Sequence, residues 1–446
     1  MSSAFILTSA RTLGQTDAPG TADTPPGWEA LFDGVDLAGW TGGTTRDPRE
    51  LEAMSDEERI AWRTRMDREI LEHWRVDRGE LISDGQGPNL VTERDFRDFE
   101  LRVDWKLAPR GDSGIYLRGC PQVQIWDPNN EEAHQHGSDK GSGGLWNNQT
   151  NARFPTEVAD RPIGEWNHME ARMVGPYVTV RLNGKLIVDN VVLENYYARD
   201  LPVPAIGPIH LQTHGSETRF RNLSIREITS DEADEVLAAI GGHEAGFVPL
   251  FNGRNLDGWI GATGGYEVTD GAIICKAGSG GNLLTEKSFG DFAVRLEFRL
   301  PPGGNNGLAI RSPSPDVDAA YEGIELQVLD NTDPRYAGLK AYQFHGSAYG
   351  LVPALRGYLR PVGEWNYEEA RVIGDRVRVE LNGYPILDVD LASWRDQPID
   401  GHAHPGAFRS AGHFGFCGHN DPVAFRNIRI MEIAPTKGDA AGAAPD

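Results

Sequence analysis

The chain has 446 residues, 43 of them basic and 66 acidic, which gives a formal net charge of −23 with histidine neutral. A nucleic-acid backbone or an anionic lipid surface is gripped by positive charge, so neither is a partner of this chain, and no stretch approaches the ~20 apolar residues of a membrane span. Three cysteines, Cys120, Cys275 and Cys417, allow one disulfide at most and no multi-cysteine metal cluster.

Residues 1–28 read as a flexible leader rich in Thr, Pro, Gly and Ala. Its apolar run Ala4-Phe5-Ile6-Leu7 is too short for the core of a secretory signal, and no basic residue precedes it. The expected location is periplasmic or secreted, with a signal already removed; a cytoplasmic location is the alternative. From residue 29 onward the chain repeats itself in order. Leu31-Phe32-Asp33-Gly34 with Gly39-Trp40 returns as Leu250-Phe251-Asn252-Gly253 with Gly258-Trp259. Gly114-Ile115-Tyr116-Leu117-Arg118 answers to Gly307-Leu308-Ala309-Ile310-Arg311, and Gln124-Ile125-Trp126-Asp127 to Gln327-Val328-Leu329-Asp330. Gly164-Glu165-Trp166-Asn167 recurs intact at 363–366, and Phe220-Arg221-Asn222 recurs at 425–427. The period is that of a duplicated domain, since solenoid repeats run only 20–50 residues. Copy one spans 29–228 and copy two 247–433. Residues 229–246, acidic and then Gly241-Gly242, join them, and 434–446 form a flexible tail.

Within each copy the predicted elements are strands. Phe99–Trp105, Val178–Leu182, Val294–Phe298 and Val377–Leu381 alternate apolar and polar residues as half-buried strands do. Asn183-Gly184 and Asn382-Gly383 mark hairpin turns. The 53 glycines, against a ~7% average, fit many such turns. The pattern predicts an all-β protein of two tandem jelly-roll sandwiches. The exception is 48–74 in copy one, where Ser55-Asp56-Glu57-Glu58 forms a capping box and Trp62, Met66, Ile70 and Trp74 recur every four residues. This is a helical insertion. The Trp of each Gly-Glu-Trp-Asn reads as a core anchor.

Polar residues in mid-strand mark the candidate site. Glu325 and Gln327 share one face of a strand, and Arg311 ends the strand before it. Charged groups there must meet water or line a site, because burial without a partner is costly. His345 and His419 lie in nearby Gly-rich segments, and His214 holds the position of His419 in copy one. His134 and His136 form a weak metal-like pair. No nucleophile elbow, zincin motif, Walker loop or dinucleotide fingerprint is present.

The ordered set of Leu-Phe-Asn-Gly, Gly-Ile-Glu-Leu-Gln-Val-Leu-Asp, Gly-Glu-Trp-Asn and Phe-Arg-Asn-Ile-Arg-Ile resembles the 3-keto-disaccharide hydrolase family across both copies. The resemblance implies a concanavalin A-like sandwich. It also implies cleavage of glycosides whose sugar was first oxidised at C3 by a separate oxidoreductase. A C3 ketone acidifies the C2 proton, so proton abstraction and β-elimination, with or without rehydration, is the chemistry such a substrate allows. By position, the resemblance gives His345, His419 and Glu325 as catalytic residues. It gives Arg311, Gln327, Tyr349, Arg118, Gln124, Trp146 and His214 as substrate-binding residues. Gln122 stands where Glu325 stands, which makes copy one the expected binding or supporting copy. An Arg, an amide or a divalent metal ion of unknown identity could stabilise the enolate oxygen, and these residues point to no other cofactor. The alternative is a non-catalytic, lectin-like carbohydrate-binding protein.

Overall fold

Alternation of apolar and polar residues has a direct outcome: each copy is a sandwich of two antiparallel sheets with the apolar rows facing inward. The computed structural model describes residues 25–240, 245–395 and 397–434. Most of the expected leader, the Gly241-Gly242 pair and nearly all of the expected tail lie outside these residues.

The larger sheet of copy one runs, in spatial order, Lys185–Val192, Tyr177–Leu182, Asn167–Val174, Phe99–Leu107, Thr218–Glu227, Glu80–Ser83 and Trp74–Asp77, with Glu29–Ala30 also paired to Thr218–Glu227. Its smaller sheet runs Trp40–Gly43, Asn89–Thr92, His210–Leu211, Asp112–Leu117 and Cys120–Trp126. Copy two repeats both orders. Its smaller sheet is Trp259–Gly261, Gly280–Phe289, Gly412–His419, Asn305–Ser312 and Ile324–Leu329. The expected all-β tandem sandwich is what the chain forms. Between the sheets of copy two, Phe292, Val294, Leu296 and Phe298 meet Leu308, Leu326, Val328 and Phe416, all fully buried. Phe416 stacks on Phe425 at 3.9 Å between ring centroids. The hairpin pairs Asn183-Gly184 and Asn382-Gly383 both have positive φ, 52° and 84° in each case, as a two-residue turn requires.

The helical insertion forms as two helices, Pro48–Glu52 and Asp56–His73. The longer one opens with the expected capping box: the Glu58 amide donates to Ser55 Oγ at 3.3 Å and the Ser55 amide to Glu58 Oε2 at 2.9 Å. It packs on the edge strand Trp40–Gly43, where Asp67 accepts from the Thr41 hydroxyl and from the Gly42 amide. Met66 and Ile70 are buried, and Trp74 has already passed into the next strand. Ser55→Ala is expected to cost about 1 kcal/mol, the usual worth of an N-cap, read as a lower urea midpoint at unchanged slope. An unchanged midpoint would mean that packing alone holds the helix.

Two details depart from the expectation. The joining segment contains a helix, Ser230–Ala239, whose Leu237 packs with Val174 of copy one and Tyr367 of copy two. Its Asp234 accepts from Arg360 at 2.6 Å, so a buried ion pair ties the joining helix to copy two. The Trp of Gly-Glu-Trp-Asn is not a core anchor. Trp166 and Trp365 are half-buried and covered by cations, Arg221 at 4.0 Å and Arg426 at 4.1 Å. It is the neighbouring Asn that is buried: Asn366 Oδ1 accepts from the Arg360 amide and from Asn382 Nδ2, each at 2.9 Å.

Candidate active site

Strand parity builds the site. Val123 and Ile125 point into the copy-one core, which turns Gln122, Gln124 and Trp126 outward; Leu326 and Val328 do the same for Glu325, Gln327 and Leu329 in copy two. The same parity exposes His214 beyond Leu211 and His419 beyond Phe416. Each smaller sheet therefore presents a polar outer face, and each face carries a cleft.

In copy two the cleft has a volume of ≈ 240 Å³. Gln327 is fixed by donating from Nε2 to Asn305 Oδ1 and to the Asn306 carbonyl, both at 2.8 Å. Glu325 lies across Gly307, where a Cβ would come within 2.1 Å of its Oε1, so only glycine fits beneath the carboxylate. Glu325 is 6% exposed, and its Oε1 has no aligned hydrogen-bond partner. His419 Nε2 stands 3.5 Å from that oxygen, with its ring half-exposed to the cleft. The Glu325 carboxylate holds the His419 imidazole above its ordinary pKa, against the opposing effect of burial. Tyr349 reaches the same cleft, its hydroxyl accepting from Gln343 at 3.0 Å.

Copy one has the same construction with one exchange. Its cleft has a volume of ≈ 400 Å³. Gln124 donates from Nε2 to Asp112 Oδ1 at 2.7 Å, and His214 Nδ1 stands 3.4 Å from Asp112 Oδ2. The Asp112 carboxylate raises the His214 pKa as Glu325 raises that of His419. Register equates Gly114 with Gly307, and so Asp112 with Asn305 and Gln122 with Glu325. Each face thus carries one carboxylate and one amide at these two positions, in opposite order. Copy one therefore keeps a carboxylate in its cleft, at Asp112 in place of the position held by Gln122. Trp146 and Trp126 wall this cleft, edge to face at 6.3 Å.

Of the expected residues, Glu325, Gln327, Tyr349 and His419 converge in one cleft, and Gln124, Trp146 and His214 in the other. Three do not join them. His345 is 1% exposed in the sandwich interior, against Phe298 at 4.9 Å, with Nε2 3.1 Å from Glu368 Oε2. Arg118 and Arg311 are 0% and 1% exposed and serve as clamps. Arg118 binds Asp98 at 2.9 Å, the Gly175 carbonyl at 2.8 Å and the Tyr384 hydroxyl of copy two. Arg311 repeats this with Asp291 and the Gly374 carbonyl, both at 2.8 Å. A residue ending a strand at positive φ, 53° in both cases, turns its side chain out of the row that its sequence parity suggests.

Asp112, Tyr116 and Gln212 line the copy-one cleft unforeseen. The signal for Asp112 was its alignment with Asn305, two residues before the shared glycine. Among the described residues, no three His, Cys, Asp or Glu side chains gather where they could hold a metal ion. His134 and His136 lie exposed on a turn, and the three cysteines are buried and free.

The 3-keto-alpha-glucoside-1,2-lyase-like domain family matches this chain twice, over residues 27–226 and 246–431. A 3-keto-disaccharide hydrolase of Bacteroides thetaiotaomicron is 28% identical over 228 residues, covering 42% of this chain and 79% of the relative. A crystal structure from Parabacteroides distasonis, described as that of a glycosyl hydrolase, is similar at 24% identity over 42% of this chain and 94% of that one, with a TM-score of 0.39. The carbohydrate-binding module CBM66 of Bacillus subtilis is similar at 21% identity over 39% of this chain and 96% of that one, with a TM-score of 0.28.

Proposed function

Because this chain belongs to the 3-keto-alpha-glucoside-1,2-lyase-like family, we propose that it cleaves glycosides oxidised at C3, by removing the C2 proton and eliminating the group at C1. The observation that carries this reading is the pair on the open face of copy two: a buried carboxylate oxygen of Glu325 with no aligned donor, 3.5 Å from His419. Elimination needs a base and an acid on the same substrate, and a carboxylate paired with a protonated imidazole supplies both.

In the proposed reaction Glu325 takes the C2 proton. The electron pair of that bond passes into the C3 carbonyl and leaves an enolate, whose negative oxygen a neutral amide or a cationic imidazole can stabilise. Collapse of the enolate breaks the C1–O bond, and His419 protonates the departing oxygen. The products are an enone sugar and an alcohol; addition of water across the double bond gives the free 3-keto sugar and makes the net reaction hydrolysis. Two carboxylates flanking the scissile bond, as in ordinary glycosidases, are not needed. The substrate must come from a reaction that oxidises the C3 hydroxyl, so a separate oxidoreductase acts before this enzyme.

The test is incubation with a 3-keto-glucoside while following aglycone release. Release is the expected result; none from either O- or C-linked substrates, with and without divalent metal, would overturn the reading. The pH dependence has a defined sign. His419 must be protonated to act as the acid, and its pKa lies above the ordinary value, so turnover is present below that raised value and falls as pH rises through it. Asp318 also raises it from nearby. Asp318→Asn keeps the oxygen that accepts from the Ala320 amide at 3.0 Å but removes the charge. The alkaline limb for a small 3-keto-glucoside is therefore expected to move to lower pH, and a limb that stays put or moves upward would contradict the assignment of His419 as the acid.

A further inference from the structure

We propose that copy one holds a second active site, turning over 3-keto-glycosides whose aglycone is flat and bulky, with Asp112 in the part that Glu325 plays in copy two. The inference rests on the elimination reading above and extends it to the cleft of the copy expected from its sequence to bind or support.

The transposition is its first support. A cleft kept only for binding has no need of a carboxylate at the one neighbouring position that restores a histidine–carboxylate pair. Yet Asp112 appears where copy two has Asn305, on the same strand and held by the same glutamine, at 3.4 Å from His214. A second support is independent of that pair. Gln212 is 9% exposed, it lines the cleft, and its Oε1 is buried without a hydrogen-bond partner. Its Nε2 is committed to the Tyr116 hydroxyl at 3.0 Å, which aims the free oxygen across Gly114, where a Cβ would lie 3.1 Å away. A sugar hydroxyl would satisfy that oxygen.

Substrate class follows from the walls. In copy one the strands Asp112–Leu117 and Cys120–Trp126 are joined by a tight turn at Arg118-Gly119. In copy two the equivalent strands are joined by residues 313–323, whose helix Ala319–Glu322 places Ala320 and Tyr321 in the cleft. The copy-one cleft is larger, ≈ 400 against ≈ 240 Å³, and its walls include Trp126, Trp146 and Tyr196, on which a planar ring can stack. The balance of the step is that of copy two: Asp112 accepts the C2 proton, the C1–O pair leaves with the aglycone, and His214 supplies the proton that the leaving oxygen takes.

The experiment uses the full chain with two substrates, methyl 3-keto-glucoside and p-nitrophenyl 3-keto-glucoside. Glu325→Gln is expected to leave measurable release of nitrophenol, and adding Asp112→Asn should lower that residual release by at least roughly 10²-fold. His214→Asn in the Glu325→Gln background should do the same, and thermal unfolding of each variant shows whether it is folded. If Glu325→Gln alone brings nitrophenol release down to the level of the double variant, copy one is not an active site and only the copy-two reading stands. If the wild type releases neither aglycone, the elimination reading fails and this inference fails with it.

Discussion

The double variant Asp112→Asn, Glu325→Gln is expected to release aglycone from 3-keto-glucosides more slowly than the wild type by roughly 10²–10⁴-fold, the usual contribution of a positioned general base. Both changes preserve shape and remove the negative charge. In each cleft the amide could no longer accept the C2 proton, and the histidine opposite would lose the carboxylate that raises its pKa. The two effects act in the same direction, because a histidine with a lower pKa is less often protonated at neutral pH. Substrate should still bind, since Gln124, Gln327, Tyr349 and Trp146 are untouched. The loss should therefore fall on kcat more than on KM. A decrease below about tenfold would show that the base is a group outside these two faces.

Arg118→Met is the second large effect, and it is one of stability. The guanidinium is fully buried and paired with Asp98, a side chain 7% exposed, and it also ties copy one to Tyr384 of copy two. Removing Arg118 leaves the buried Asp98 carboxylate with only the Gly175 amide at 2.9 Å and the Arg360 guanidinium at 3.9 Å, a loss near the low end for breaking a buried pair, about 3 kcal/mol. At ~2–4 °C per kcal/mol for domains of this size, the melting temperature should drop on the order of 10 °C. Activity per folded molecule should stay near that of the wild type. Had Arg118 held sugar, as its place in the repeat suggests, the same substitution would raise KM and leave the melting temperature nearly unchanged. The two outcomes are opposite in both readouts.

What was legible in the sequence follows the physics of alternation. Strand parity is a period of two, so the inward rows of Leu326 and Val328 and the outward rows of Glu325 and Gln327 could be read from spacing alone. So could the capping box at Ser55 and the turns at Asn183 and Asn382. Three kinds of information were not local. Arg118 and Arg311 sit at positive φ, and a single residue in that conformation reverses the side chain without leaving a mark in the pattern. His345 lies in a turn between Phe344 and Gly346, and its inward direction is set by packing against Phe298 and Glu368, which belong to distant strands. Asp112 carries no strand signal of its own, because Gly111-Asp112-Ser113-Gly114 has turn composition. The repeat alignment of Asp112 with Asn305, taken with the register that pairs Gly114 with Gln124, shows that the carboxylate of copy one has changed strand rather than vanished.

Breaking of the bond to hydrogen at C2 is tested most directly by a 3-keto-glucoside carrying deuterium at C2. Proton abstraction predicts that the sugar product formed by the wild-type protein has lost the C2 deuterium to solvent, with slower aglycone release than from the protiated substrate. A product that keeps its full C2 deuterium, released at the same rate as from the protiated substrate, would contradict the elimination mechanism and the roles assigned to Glu325 and His419.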